Sequence, residues 1–96
     1  MLVIVTYDVE TTSAAGRKRL RKVAKQCVNF GQRVQNSVFE CLVDPAQFTD
    51  LKHRLEGIID YDKDSLRFYM LGSKWESKVE HVGAKETYNP EDPMIL

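Results

Sequence analysis

The sequence predicts one α+β domain with the element order strand, helix, strand, strand, helix, strand. Its 96 residues fit a single domain. Hydrophobic residues make up 43% of the chain and charged residues 29%, which is typical of a folded globular protein and excludes wholesale disorder. Apolar runs typical of strands are separated by two stretches whose apolar residues recur at helical spacing, and this order gives the predicted fold.

Residues 2–9 form the first predicted strand, because the run LVIVTYDV is rich in β-branched and apolar side chains. Side chains alternate between the two faces of a strand. One face then carries Val3, Val5 and Tyr7, and the other carries Leu2, Ile4, Thr6 and Asp8. Both faces are apolar over most of their length, which is typical of a sheet that is covered on both sides.

A basic helix follows, with Thr12 or Ser13 as its predicted N-cap. Its apolar residues recur on one stripe, which consists of Leu20, Val23, Ala24 and Cys27. Gly16 falls on the same stripe, where we expect it to allow close approach to the sheet. The polar face of this helix is entirely basic.

Residues 30–43 predict two strands paired as a hairpin, with a turn at residues 35–37. Asp44, Pro45 and Gln47 then predict a helix start, because Asp is a good N-cap, Pro suits the first position and Gln completes a capping box. The apolar stripe of this second helix consists of Phe48, Leu51, Leu55 and Ile58.

The last part of the chain begins with a polar loop at residues 60–64, after which residues 66–71 predict an apolar strand ended by Gly72. Residues 78–82 alternate as an extra short strand, which we expect at the C-terminal edge of the sheet. Residues 84–96 contain two prolines and are predicted to be extended. We therefore predict one domain at residues 1–83 and a C-terminal tail at residues 84–96.

This order of elements is that of a ferredoxin-like βαββαβ fold, in which one antiparallel sheet carries both helices on the same face. Two helices cannot cover both faces of the sheet. The apolar side chains of the other face, among them Leu2, Ile4 and part of residues 66–71, then require a second chain. We expect a homodimer whose two sheets pack face to face.

The charges of the chain are segregated, although its formal net charge is zero. The stretch from Thr11 to Phe39 contains no acidic residue, and its basic residues are Arg17, Lys18, Arg19, Arg21, Lys22, Lys25 and Arg33. Such a block favours a nucleic-acid partner, because binding responds to local potential and not to total charge. The alternative is a solvated helix face whose counter-charges lie elsewhere on the fold.

Two further observations concern the cellular location. The 2 cysteines are too few for a disulfide framework, so we expect a reducing, cytoplasmic environment. No apolar run approaches the roughly 18 residues that a membrane span needs, and no signal peptide is recognisable. We therefore expect no membrane partner.

Several short features occur together in an order that resembles a known family. They are a hydrophobic first strand ending in Tyr7 and Asp8, a basic helix with Arg17 and Arg19, then Arg33, and the run QNSVFE at residues 35–40. Over residues 1–83 the chain resembles the small CRISPR-associated nuclease family, whose members are the smaller of the two proteins in the spacer-acquisition complex.

The resemblance implies a ferredoxin-like homodimer in which the two copies of Asp8 hold one magnesium ion (Mg²⁺) near the twofold axis. It implies a metal-dependent endonuclease acting on double-stranded DNA or single-stranded RNA, and a scaffold that holds spacer DNA for the CRISPR integrase subunit. We favour cutting of duplex DNA as part of spacer acquisition. The alternatives are a non-catalytic DNA-binding scaffold and a single-stranded-RNA endoribonuclease.

Asp8 is the predicted catalytic and metal-binding residue. A phosphodiesterase uses a hard cation to polarise the phosphate and to lower the pKa of an attacking water, and oxygen ligands suit magnesium. One carboxylate per chain is a poor magnesium site, whereas two that face each other across a twofold axis could serve. The alternative is that Asp8 simply ends the strand or caps the next turn.

Phosphate binding is predicted for Arg17, Arg19 and Arg33, the first two because they flank the apolar stripe and point along the sheet surface. Arg21 is assigned, with the lysines of the helix, to a diffuse electrostatic face or to solvent. A small-molecule-binding domain of the same fold is a third reading, but the chain lacks the glycine-rich anion loop that such a domain needs.

Aromatic and acidic residues give two weaker candidates. Tyr7 and Phe39 could stack on bases or sugars, although aromatic residues on strands more often belong to the core. Asp60, Asp62 and Asp64 imitate a calcium loop, but the glycine and the glutamate that such a loop requires are missing. We therefore predict no metal at residues 60–64.

Overall fold

The structure is a computed structural model and describes residues 1–83, so the predicted tail lies outside the described residues. Its elements are β1 (Leu2–Asp8), α1 (Ala14–Val28), β2 (Gly31–Gln35), β3 (Val38–Leu42), α2 (Pro45–Glu56) and β4 (Ser65–Gly72). The strands form one antiparallel sheet in the order β2-β3-β1-β4, which confirms the predicted α+β fold. Neither helix in this part of the chain is long and apolar enough to cross a membrane.

Capping side chains determine where both helices begin. Of the two N-caps predicted for α1, Ser13 is the one used, and its Oγ accepts a hydrogen bond from the N–H of Gly16 at 3.0 Å. At the start of α2, Asp44 accepts from the N–H of Gln47 at 2.7 Å, and the Gln47 side chain accepts from the N–H of Asp44 at 2.9 Å. This reciprocal pair confirms the predicted capping box.

The core lies between the sheet and the two helices. Its sheet side is formed by Val3, Val5, Tyr7, Phe39 and Cys41, none of which is more than 1% exposed. The helices close the core with Leu20, Val23, Ala24 and Cys27 from α1 and with Leu51 and Leu55 from α2. Burying a large apolar side chain stabilises a fold by about 1.5–3 kcal/mol, so this layer fixes the position of β1 at the centre of the sheet.

The opposite face of the sheet is covered less completely. There β1 and β4 pair Ile4, which is half-buried, with Tyr69, which is 46% exposed. Leu2 was predicted to need a second chain, and this was wrong, because it is only 1% exposed within one chain. The homodimer expected through this face stays a prediction.

The extra strand predicted at residues 78–82 is not formed. Glu76–Lys78 instead make one 3-10 turn, in which the N–H of Lys78 donates to the carbonyl oxygen of Trp75 at 2.8 Å. Val79 is extended (φ −122°, ψ 124°), but residues 79–82 pair with no strand of the described chain. Lys78 belongs to the turn, and the remaining residues 79–82 have no partner strand whose backbone hydrogen bonds could stabilise them as a strand.

We expect Gly16→Ala to destabilise the fold by about 1–3 kcal/mol. At an exposed helix position the same change would stabilise by about 1 kcal/mol, because alanine is the better helix former. Gly16 is buried, and a Cβ there would lie 1.7 Å from the carbonyl oxygen of Glu10. The sequence predicted that Gly16 allows α1 to approach the sheet closely, whereas in the structure Gly16 lies close to the loop before α1.

Chemical denaturation of the Gly16→Ala protein measures this effect. Gly57→Ala is the matched control, because Gly57 is exposed at the end of α2 and the nearest atom to an added Cβ lies 3.5 Å away. A Gly16→Ala protein as stable as the wild type would show that the loop moves aside at no cost.

Candidate functional site

A cleft of about 520 Å³ opens at the C-terminal end of β1, between α1 and the turn that joins β2 to β3. Charged side chains line it, namely those of Asp8, Arg17, Arg21 and Arg33. Three guanidinium groups against one carboxylate make the lining positive. A cleft concentrates the field of charges of one sign, so it suits an anionic ligand such as a phosphate.

Asp8 ends β1, and its side chain is exposed at the rim of this cleft. It alternates with the core residue Tyr7 and pairs with Ser65 of β4, so it lies on the same side of the sheet as Ile4. Within residues 1–83, no hydrogen bond or ion pair engages its carboxylate. Asp8 is therefore available to a ligand.

The donor set around Asp8 fits magnesium only in part. Carboxylate oxygen is the hard ligand that magnesium prefers, but the ion needs a near-octahedral set of oxygen ligands. No group of at least three His, Cys, Asp or Glu side chains in the described part of the chain could hold a metal. The residues of one chain thus fit magnesium if a second copy supplies a second Asp8 and water and phosphate oxygens supply the rest.

Arg17 and Arg33 are held in the cleft by backbone carbonyl groups. Nη1 of Arg17 donates to the carbonyl oxygens of Thr11 at 3.0 Å and Thr12 at 3.1 Å. Nε of Arg33 donates to the carbonyl oxygen of Asn36 at 2.8 Å, and its guanidinium lies 5.7 Å from the centre of the Phe39 ring. A guanidinium has several N–H donors, so both side chains keep free donors for a phosphate.

The sequence assigned Arg21 to a diffuse face, and the structure places it in the cleft with Arg17. The signal that could have found it is helical spacing, because residues four apart on a helix lie on the same side. Lys18, Lys22 and Lys25 are exposed and do not line the cleft. The positive cleft therefore consists of arginines from α1 and from β2.

Arg19 lies outside the cleft and is paired with Asp64, so its predicted phosphate contact stays a prediction. Its Nε and Nη2 donate to the two carboxylate oxygens of Asp64 at 2.8 Å and 3.1 Å. The Asp64 side chain is 0% exposed and that of Arg19 is 17% exposed. Arg19 is two residues from Arg17, which on a helix turns it to a different side, so it meets the loop before β4 instead.

Tyr7 and Phe39 are core residues in the structure, with 1% and 0% exposure. Stacking on a base needs an open ring face, so the stacking contact predicted for them does not fit this burial. The Tyr7 hydroxyl donates a hydrogen bond to Oδ2 of Asp64. Tyr7 thus borders the cleft, but its hydroxyl group points to the buried ion pair of Arg19 and Asp64.

The hydrogen bond between Tyr7 and Asp64 shifts the pKa values of both residues. Burial alone would raise the pKa of Asp64, but hydrogen bonds from Arg19, from the N–H of Asp60 and from Tyr7 hold it below its usual value. Burial, and then the hydrogen bond to Asp64, raise the pKa of Tyr7 to about 12. At neutral pH the group therefore consists of a carboxylate, a guanidinium and a neutral phenol.

We expect Tyr7 to make the fold weaker in alkali. Its pKa is raised from 10.0 to about 12, so the unfolded chain loses this proton first. The stabilisation is complete below pH 10 and is lost as the pH rises towards 12. Between pH 8 and pH 11 the wild type should lose about 1 kcal/mol more unfolding free energy than Tyr7→Phe. Parallel losses in urea titrations of the two proteins would contradict this assignment.

Comparison with known proteins now identifies the family. A family model described as CRISPR associated protein Cas2 matches residues 1–79. The chain belongs to the Cas2 family. It is 62% identical over 96 residues to the CRISPR-associated endonuclease Cas2 of Halalkalibacterium halodurans, and the match covers 100% of both chains. This confirms the predicted family resemblance.

Two further Cas2 proteins extend the comparison. The CRISPR-associated endoribonuclease Cas2 of Nitratidesulfovibrio vulgaris is 59% identical, over 100% of this chain and 94% of that one. The crystal structure of Streptococcus pyogenes Cas2 at pH 6.5 superposes with a TM-score of 0.79 and 65% identity, over 86% of this chain and 100% of that one. Both relatives compared by sequence are named as nucleases; the first name specifies no nucleic acid, and the second specifies RNA.

Proposed function

We propose that this member of the Cas2 family is a magnesium-dependent endonuclease that cuts double-stranded DNA and takes part in CRISPR spacer acquisition. The observation that carries the proposal is the unengaged carboxylate of Asp8 at the rim of a cleft lined by three arginines. A nuclease needs these two components, a ligand for a cation and donors for the phosphate. The names of the relatives support a nuclease; one specifies no nucleic acid and the other specifies RNA, so the experiment below decides between DNA and RNA.

The arginines of the cleft would bind and orient the phosphate backbone. Arg17 and Arg33 are already fixed by carbonyl groups, so little side-chain freedom is lost when a phosphate binds. Arg21 is exposed and adds a third positive charge. Contacts of this kind set the register of a duplex and do not read its sequence, which suits an enzyme that takes DNA of many sequences.

Two copies of Asp8, one from each subunit of a homodimer, would hold the magnesium ion. Bound there, the ion would polarise a phosphate oxygen and lower the pKa of a water. The Asp8 carboxylates would supply the negative charge needed to retain a cation beside the three arginines. The arginines in turn keep the scissile phosphate at the rim where Asp8 lies.

The homodimer would form through the sheet face that carries Asp8. On this face Tyr69 is 46% exposed beside the half-buried Ile4, although large apolar side chains are usually covered. A twofold axis through this face relates the two sheets. Because Asp8 lies on the same face as Ile4 and Tyr69, the two copies of Asp8 would approach each other near the axis.

A second candidate function is a non-catalytic DNA scaffold for the CRISPR integrase subunit. The excess of arginines over carboxylates in the cleft favours it, because a scaffold needs the positive lining and has no need of Asp8. The two functions share the dimer and the DNA contacts. They differ in whether the protein cleaves a phosphodiester bond of the DNA.

The test is incubation of the purified full chain with duplex DNA, single-stranded DNA and single-stranded RNA, each in Mg²⁺ and in EDTA. We expect the duplex to be cut in Mg²⁺ and to remain intact in EDTA. Cutting of RNA alone would reassign the substrate, and intact substrates with tight DNA binding would favour the scaffold. Cutting that persists in EDTA would contradict metal dependence.

A further inference from the structure

Asp64 is a fully buried carboxylate whose two oxygens are both engaged. Oδ2 accepts from Nε of Arg19 at 2.8 Å, from the N–H of Asp60 at 2.9 Å and from the Tyr7 hydroxyl. Oδ1 accepts from Nη2 of Arg19 at 3.1 Å. The carboxylate therefore joins α1, β1 and the loop before β4 at one point.

This point lies beside the end of β1 that carries Asp8. Asp64 precedes β4, whose first residue Ser65 pairs with Asp8, and Tyr7 is the residue before Asp8. On the other side of β1, the N–H of Tyr7 donates to the carbonyl oxygen of Ser37 at 2.9 Å, in the turn that lines the cleft. The end of β1 is thus held from both sides.

Stability alone is a weak explanation for a buried ion pair. Removing two charges from water costs free energy that their attraction often only balances, and apolar replacements are frequently neutral or stabilising. The second ion pair in the described part of the chain, between Asp50 and Arg54, is 54% and 55% exposed and lies along α2. The pair at Asp64 differs in being buried and in meeting the strand that delivers Asp8.

We infer that Asp64, with Arg19 and Tyr7, positions the end of β1 so that the Asp8 carboxylate is fixed for metal binding. Asp64 is a positioning residue, because it touches Tyr7 and Arg19 and does not line the cleft. The inference rests on the proposed function for the metal, while the positioning of β1 is a property of the fold itself. It also gives Arg19 a place in the activity without contact to the nucleic acid.

The test compares Asp64→Asn and Tyr7→Phe with the wild type and with Asp50→Asn, which removes the exposed ion pair on α2. Tyr7→Phe keeps the ring in the core and removes only the hydroxyl, so it decides the outcome if Asp64→Asn does not fold. Three quantities are measured below the melting temperature. They are Mn²⁺ affinity, duplex DNA affinity in EDTA, and hydrogen exchange at the backbone amides of residues 6–9.

We expect Asp64→Asn to bind Mn²⁺ about 10- to 100-fold more weakly, as is typical when a partner that orients a metal ligand is removed. Tyr7→Phe should show a smaller loss, and both should speed exchange at residues 6–9 by about tenfold. DNA affinity should stay within about twofold, because Arg17, Arg21 and Arg33 do not contact Asp64. Asp50→Asn should match the wild type in all three quantities.

Folded variants with wild-type Mn²⁺ affinity and wild-type exchange at residues 6–9 would overturn the inference. A lower melting temperature with these quantities unchanged would also overturn it, since the ion pair would then be purely structural. Failure of the proposed function looks different, because Asp8→Asn would then bind Mn²⁺ as the wild type does. In that case the exchange rates alone still decide whether Asp64 positions β1.

Discussion

Asp8→Asn should lower the rate of DNA cleavage by about a thousandfold and leave DNA affinity within about twofold of the wild type. The amide keeps the shape of the side chain and removes the charge that retains a cation. Asp8 is exposed and has no partner in the described part of the chain, so its loss should not weaken the fold. Cleavage kinetics in Mg²⁺ and a binding titration in EDTA measure the two effects separately.

The matched control for Asp8→Asn is Glu10→Gln. Glu10 is an exposed carboxylate two residues after Asp8. It accepts a hydrogen bond from the Thr12 hydroxyl and does not line the cleft. It should cut at the wild-type rate. If both variants lose cleavage to the same extent, the summed negative charge of the loop is responsible and not the Asp8 site. If Asp8→Asn cuts as the wild type does, the activity belongs to another site or to a contaminant.

The double variant Arg17→Ala with Arg21→Ala should weaken duplex DNA binding about tenfold for each arginine lost. Each phosphate contact removed should also reduce the slope of log affinity against log salt by about 0.9. Both side chains line the cleft on the same side of α1. Cleavage should fall with binding, because the phosphate is no longer held beside Asp8. Fluorescence anisotropy at several salt concentrations gives both quantities.

Lys18→Ala with Lys22→Ala is the control for the arginine pair. It removes the same charge from the same helix, but neither lysine lines the cleft. We expect a loss of less than about threefold, since exposed charges are screened within about 10 Å at moderate salt. Equal losses in the two double variants would mean that DNA responds to the total charge of α1 and that the cleft binds no phosphate.

Local patterns in the sequence were enough to predict most of the fold. The alternation of β1 placed Val3, Val5 and Tyr7 on one face, and all of them are in the core. Asp44 and Gln47 form the capping box that their spacing predicted. Such features depend on neighbours within a few residues, so they can be derived without knowing how distant segments meet.

The sequence did not predict contacts between residues that are far apart in the chain. Arg19 was predicted to meet phosphate, and its partner is Asp64, 45 residues away. In the sequence Asp64 is one of three aspartates in an acidic loop, and no local signal shows that its carboxylate is buried and hydrogen-bonded to Tyr7. Arg21 is the exception, because its four-residue spacing from Arg17 is a local signal that both lie on the same side of α1.

The segment at residues 78–82 shows a different limit. Its alternation was a valid strand pattern, but a strand also needs an edge with which to pair. Within residues 1–83 the segment reaches none, and the 3-10 turn at Glu76–Lys78 removes its first residue. A periodic pattern therefore predicts which side chains alternate and does not predict whether a partner strand is present.

The most direct test of the shared Asp8 site is the stoichiometry of metal binding. Isothermal titration calorimetry of the full chain with Mn²⁺, combined with the mass of the protein in solution, gives the number of ions for each chain. We predict a dimer that binds one ion for every two chains, and no binding by Asp8→Asn. One ion for each chain, or the same binding in Asp8→Asn, would contradict a site built from two copies of Asp8.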